Sequence, residues 1–131
     1  MKNKKTKFFA AIGFSVLTAA TALWGTNTYA TIYDTASVYL VKGQYSNGTR
    51  LWVTSDHTIG GGMQVYDDSN HWVQFQVKDP NGDVVDSGVV AQGEDAYYTD
   101  AAWYTGYYQI GLECYNDQTD CHAKGWINEA D

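Results

Sequence analysis

The sequence predicts an all-β fold, an antiparallel β-sandwich of about seven strands, and three observations predict it. Apolar and polar residues alternate with a period of two along much of the chain, and no helical stripe interrupts them. Turn signals rich in Asn, Gly, Asp and Pro separate these runs every roughly eight to twelve residues. Residues 31–131 have the length of one domain with one core.

The elements follow in order. "SVYLVK" (37–42) and "TRLWVTS" (49–55) flank "GQYSNG", whose Asn47-Gly48 is the strongest hairpin signal in the chain. "GGGMQVYDD" (60–68) supplies a strand with Met63 and Val65 on one face. In "HWVQFQVK" (71–78), Val73, Phe75 and Val77 point one way while Trp72, Gln74, Gln76 and Lys78 point the other, the mark of a half-buried strand. It runs into "DPNGD", where Pro80 presets φ and Asn81-Gly82 makes a tight turn, and returns as "VVDSGVV" (84–90). "AYYTDAAWYT" (96–105) fits either a short strand or a single helical turn. "YYQIGLEC" (107–114) sets Tyr108, Ile110, Leu112 and Cys114 on one face, and "CHAKGWIN" (121–128) pairs back to it.

The first thirty residues read as a secretory signal peptide. Lys2, Lys4, Lys5 and Lys7 form a positive n-region, "FFAAIGFSVLTAA" is a short apolar core, and cleavage is expected after Ala30, with Ala22 as the alternative. The core is too short for a comfortable membrane span. The product, residues 31–131, is therefore expected to be secreted and extracellular. It keeps four basic residues (Lys42, Arg50, Lys78, Lys124) against all fifteen acidic ones, a net charge of −11. Such a surface repels phosphate backbones and anionic bilayers, which excludes nucleic acid and membrane insertion as its business. Export makes a disulfide the default state of the two cysteines, and only Cys114–Cys121 can form within the chain. Read as closing a hairpin, that bond is worth about 2.5 kcal/mol in the chain-entropy model.

"VQFQVKDPNGDVVDSG" resembles the central hairpin of bacterial immunoglobulin-like domains. Gly106-x-Tyr108-x-Ile110-x-Leu112 resembles their penultimate strand with its corner tyrosine. The likeness spans Val73 to Leu112. It implies an adhesion, spacer or ligand-binding module, and it shifts the expectation away from catalysis. The chain departs from the antibody pattern, because its two cysteines lie seven apart on one expected hairpin.

Motifs that mimic active sites do not hold together. Asp86-Ser87-Gly88 follows two apolar residues as in aspartic proteases, whose chemistry needs two aspartates sharing a proton. Val89 stands where a small polar residue is usual, and no bracing apolar-apolar-Gly element lies at a suitable distance. The stretch reads as a bulged or twisting strand with Gly88 at the kink. No serine sits in a Gly-x-Ser-x-Gly elbow, and His57, His71 and His122 each flank a strand. Asp79-x-Asn81-x-Asp83 opens like a calcium loop, but Val84 replaces the required glycine. The acidic tips bearing Asp67 and Asp68, and Asp117 and Asp120, are better calcium candidates if the fold gathers them. No cofactor and no enzymatic activity are expected.

Aromatic surplus carries the functional reading. The exported part holds Trp52, Trp72, Trp103 and Trp126, ten tyrosines and one phenylalanine. A core has no use for tyrosine over phenylalanine, since each buried hydroxyl needs a partner. Trp52 and Trp72 alternate with polar residues, which sets them outward unless a small barrel covers both faces or the tryptophans lean over the sheet edge. Trp103 and Tyr104 form a second candidate contact. These residues point to a binding module for a neutral or cationic ligand, a polysaccharide, a wall component or an exported protein. The alternative is a secreted effector, either a bacteriocin-like toxin or an inhibitor of extracellular enzymes.

Overall fold

The computed structural model describes residues 31–131; the secretory leader read over residues 1–30 lies outside them. Eight strands follow in chain order: β1 (Ile32–Leu40), β2 (Ser46–Val53), β3 (Thr58–Val65), β4 (Val73–Lys78), β5 (Val84–Val90), β6 (Asp95–Ala101), β7 (Gly106–Cys114) and β8 (Ala123–Ala130). Of the segment 96–105, residues 96–101 form β6 and 102–105 form the connection to β7, so the count rises from about seven to eight.

The strands form two four-stranded sheets, β1-β8-β3-β6 and β2-β7-β4-β5, with antiparallel pairing throughout. Apart from the β4–β5 hairpin, every connection crosses from one sheet to the other. Two Greek keys wound this way make a jelly-roll sandwich. The sandwich expected from the alternation is present. Its strand order, however, differs from the ABED and CFG sheets of immunoglobulin domains.

Two expected hairpins are absent for the same reason. Asn47 and Gly48 lie inside β2, opposite Leu112 and Gly111. The Asn47 amide donates to the Tyr39 carbonyl (2.8 Å), tying β2 to β1 across the sheets. The chain turns earlier, at Val41–Gln44, where Gly43 takes φ +100°. β7 and β8 likewise belong to different sheets. The Cys114–Cys121 bond therefore closes an arch between the sheets and is not an intra-hairpin clamp.

Burial follows the alternation. In β7, Gly106, Tyr108, Ile110, Leu112 and Cys114 are buried, while the residues between them face out. They meet Leu51 and Val53 of β2, Val73, Phe75 and Val77 of β4, and Leu40, Ile59, Met63 and Ile127 from the opposing sheet. Gly88 opposes Phe75 in the β4–β5 hairpin, and a Cβ there would stand 2.9 Å from that ring. The register shift of this hairpin lies nearer the turn, at Val85 between Asp86 and Val84, and not at Gly88.

The Gly106–Tyr108 stretch does form a tyrosine corner. The Tyr108 hydroxyl donates to the Tyr104 carbonyl (2.9 Å) and accepts from the Tyr104 N–H (3.2 Å), the local bond that the resemblance implied.

Candidate binding surface

The outer face of β2-β7-β4-β5 carries a shallow trough. Along β7 the outward lane reads Tyr107, Gln109, Gly111, Glu113, and Tyr115 follows Cys114 directly. Gln74, Gln76 and Lys78 of β4 flank the lane on one side; Ser46, Gly48, Arg50 and Trp52 of β2 flank it on the other. Gly48, Gly111 and Gln76 form one cross-strand row, and a Cβ built on Gly111 meets nothing within 4 Å. Missing side chains thus open a hollow of about 190 Å³ lined by Asn47, Gln74, Gln76, Lys78, Gln109 and Glu113, among others.

Aromatic pairs stand at both ends of this lane. Trp52, 54% exposed, meets Tyr107 edge to face at 5.1 Å, and the Arg50 guanidinium lies 4.1 Å above the Tyr107 ring. At the far end Trp72, 50% exposed, tilts against Tyr115 with ring centroids 6.4 Å apart. Near it Tyr45 stands beside Glu113 and Asp117; Glu113 first, then desolvation and Asp117, push the hydroxyl's pKa up to about 12.

The Trp72 end is mounted on a braced cluster of loops. Tyr115 N–H donates to the Trp72 carbonyl (2.9 Å), Asn70 N–H to Asp120 (3.1 Å), Tyr66 N–H to His122 (3.0 Å) and Gly43 N–H to Thr119 (2.6 Å). The Ser69 hydroxyl, in a buried residue, donates to the His71 carbonyl and accepts from the His122 N–H. The disulfide closes the 115–120 loop around these contacts.

The other predicted residues are placed elsewhere. Trp103, 78% exposed, and Tyr104 sit in the β6–β7 connection, at the Trp52 end and outside the trough. The acidic tips are not gathered into one cluster. Asp68 receives His122 Nδ1 (2.8 Å), Asp120 receives His71 Nδ1 (2.5 Å), and Asp117 faces Tyr45. The His122 bond holds the Asp68 carboxyl below its ordinary range. Desolvation works to raise Asp120, but the bond and charge of His71 outweigh it and the net shift is downward. Among the described residues, one group of His, Cys, Asp or Glu atoms is close enough to share a metal: Cys114, Asp120 and Cys121, whose two sulfurs are already bonded to each other. The third histidine, His57, pairs with Glu129 (2.6 Å), which also accepts from Thr54 N–H.

Asp86 has a partner the sequence did not reveal. It faces Asp100 of β6 across the sheet edges, close enough for the two carboxyls to share a proton. Burial first, then the bond and charge of Asp86, raise the Asp100 pKa to about 8. One carboxyl oxygen of Asp100 is buried without a hydrogen-bond partner. Alternation found Trp52 and Trp72; it gave no reason to single out Tyr107, Tyr115 or Gly111, whose role depends on which strands are neighbours.

No protein-family model matches the chain, and no curated protein matches it. Among solved structures, a domain from "Bacillus endospore appendages form a novel family of disulfide-linked pili" superposes with a TM-score of 0.52 at 14% identity, over 85% of this chain and 96% of that one. The likeness is one of β-sandwich fold. A CBM36 carbohydrate-binding module in complex with calcium and xylotriose aligns at 14% identity and TM-score 0.37, over 79% of this chain and 90% of that one. The CBM36-1 domain of a multidomain xylanase from the hindgut metagenome of Trinervitermes trinervoides aligns at 13% and 0.38, over 81% and 88%.

Proposed function

We propose that this chain is an exported, non-catalytic module that binds an uncharged polysaccharide in the trough on the outer face of β2-β7-β4-β5. One observation carries the reading: two exposed aromatic pairs, Trp52–Tyr107 and Trp72–Tyr115, stand on one face with an amide-lined hollow between them. Aromatic faces offer apolar area to the C–H faces of sugars. Glutamine amides both donate and accept, which matches hydroxyl groups that do the same.

Local charge narrows the ligand. The trough face holds Arg50 and Lys78 against Glu113, two positive groups to one negative. A cationic ligand, open on net charge alone, gains little here. The leader and the disulfide support export into an oxidising compartment. Both cysteines of the chain are consumed in one internal bond, so the oxidised form has no thiol left for linking copies.

The test is tryptophan fluorescence and affinity electrophoresis with neutral polymers (xylan, hydroxyethylcellulose, glucomannan, glycol chitin), on the wild type and the Trp52→Ala/Trp72→Ala double variant. Retardation by at least one polymer, lost in the double variant, is expected. Equal mobility of the two proteins on every polymer would remove the reading. Binding to a protein target that depends on Trp103 alone would favour the effector instead.

A further inference from the structure

Resting on the trough being a glycan site, we infer that it takes the interior of an unbranched, extended glycan chain, gripped at two separated points, and recognises neither a chain terminus nor a single sugar.

Spacing is the first argument. Tyr107 stands near one end of β7, and Tyr115 opens a 3-10 turn directly after its other end; with the chain extended through Cys114 at a rise of ~3.3 Å per residue, the two aromatic pairs stand about 26 Å apart. A mono- or disaccharide reaches only one pair. A chain of several linked rings reaches both.

The floor is the second argument. Between the pairs the lane holds Gln109, Gly111 and Glu113, with Gln74 and Gln76 beside it. Open space above Gly111 interrupts what would otherwise be a ridge of side chains and leaves a continuous bed. Ring, amide, gap, carboxylate and ring follow one another along the strand axis, so the bed runs lengthwise and suits a ligand extended along that axis.

The ends are the third. Recognition of a terminus needs polar groups that close over it. Of the charged groups near the two ends, Arg50 lies on the Tyr107 ring and Glu113 lies beside Tyr45, while Lys78 lines the hollow between the ends. What remains presented at each end is an aromatic face.

The experiment is a length series of soluble xylo- and cello-oligosaccharides, disaccharide to hexasaccharide, titrated by calorimetry against the wild type, Trp52→Ala, Trp72→Ala and Gly111→Val. A Cβ at Gly111 is unobstructed, so that variant should melt like the wild type while filling the bed. In the series matching the polymer bound, affinity is expected to climb about tenfold or more between the trisaccharide and the hexasaccharide, since each added aromatic contact is worth up to about tenfold. Each tryptophan variant should then weaken the hexasaccharide and flatten the length dependence, and Gly111→Val should abolish binding at every length. Affinity constant from the disaccharide upward, or sensitivity to only one tryptophan, overturns the two-point grip while leaving the trough a glycan site. Wild-type binding that none of the three variants alters places the sugar elsewhere and overturns both.

Discussion

The backbone N–H of Tyr115 donates to the carbonyl of Trp72 across 2.9 Å, extending the β4–β7 ladder one step past the Cys114–Val73 pair. Both aromatic rings at this end of the trough therefore hang from a single backbone bond, and the disulfide begins at the residue next to it. The Cys121 sulfur also packs 3.4 Å from the same Trp72 carbonyl. Stability and the shape of the site meet at this point.

Replacing both cysteines, Cys114→Ser with Cys121→Ser, should lower stability by about 2.5 kcal/mol, the chain entropy returned to so short a loop. Folding should survive, because Gly43 and Asn70 still donate to the backbone of the same loop and Tyr66 to His122 just past it. Thermal melts with and without reductant check this. An unchanged melting temperature would show that the bond contributes nothing beyond those contacts. Oligosaccharide contacts at Trp72 should weaken in the variant more than those at Trp52.

The strands themselves were legible because alternation reports burial directly: "VQFQVK" and "YYQIGLEC" face as their periodicity demands. Pairing was less so. Asn47-Gly48 has the chemistry of a hairpin turn, yet it is spent inside β2, where Gly48 opposes Gly111; a local signal lost to sheet packing. The same limit hid the Asp86–Asp100 pair and the Tyr107 and Tyr115 halves of the aromatic pairs. Each arises from strands that are neighbours in the sandwich and distant in the chain. Asp67, Asp68, Asp117 and Asp120 looked alike as acidic tips, and only the fold shows histidines spoken for by two of them.

Asp100 sets an alkaline weakness. Its pKa is raised to about 8 by burial and by Asp86, above the unfolded carboxyl near ~4. A raised pKa means that the folded state holds the proton more tightly, so this contribution is complete below about pH 4 and drains away as pH rises to about 8. Asp100→Asn keeps a hydrogen-bonding amide without the charge. The variant should melt higher than the wild type at pH 8–9 and near the wild type at pH 4. Parallel melting curves against pH for the two proteins would show that the pair is not coupled to folding.

At the acid limit the sign reverses. Asp68 is held below its ordinary value by His122, Asp120, against desolvation, by His71, and Glu129, against desolvation, by the Thr54 N–H and then His57. Their contribution is present above about pH 4 and is lost as pH falls further, through their depressed folded values. Glu129→Gln should therefore lower the melting temperature at pH 6 and narrow the gap to the wild type near pH 3. Glu129 is the telling choice, since it is buried and binds both His57 and Thr54 N–H.

Tyr108→Phe isolates the tyrosine corner. The ring is almost wholly buried and phenylalanine fills the same space, so packing is kept and two bonds to the Tyr104 backbone are lost. The expected cost is about 1–2 kcal/mol, the range for leaving backbone groups partly unpaired. Urea denaturation measures it, and a loss under a few tenths would mean that water replaces the hydroxyl. Because Trp103 precedes Tyr104, its emission should shift in the folded variant as well.

Glycine is required at one point of β3 and dispensable at one point of β7, and the contrast is testable. Gly61 takes φ +155°, and a Cβ there would lie 2.1 Å from the Trp126 carbonyl oxygen and 2.6 Å from the Tyr98 hydroxyl. Those two groups are hydrogen-bonded to each other at 3.0 Å, joining β8 to β6 across the strand between them. Neither can retreat cheaply: the carbonyl is backbone in a central strand, and Tyr98 is buried beside Phe75. Gly61→Ala therefore combines backbone strain, a backbone clash and a broken buried bond, and it should cost more than about 3 kcal/mol. Gly111→Ala, over open space, should stay within about 0.5 kcal/mol of the wild type. Denaturant midpoints for the pair decide it: if Gly61→Ala unfolds at the wild-type midpoint, the close approach of β3, β6 and β8 at Gly61 is not a feature of the folded chain.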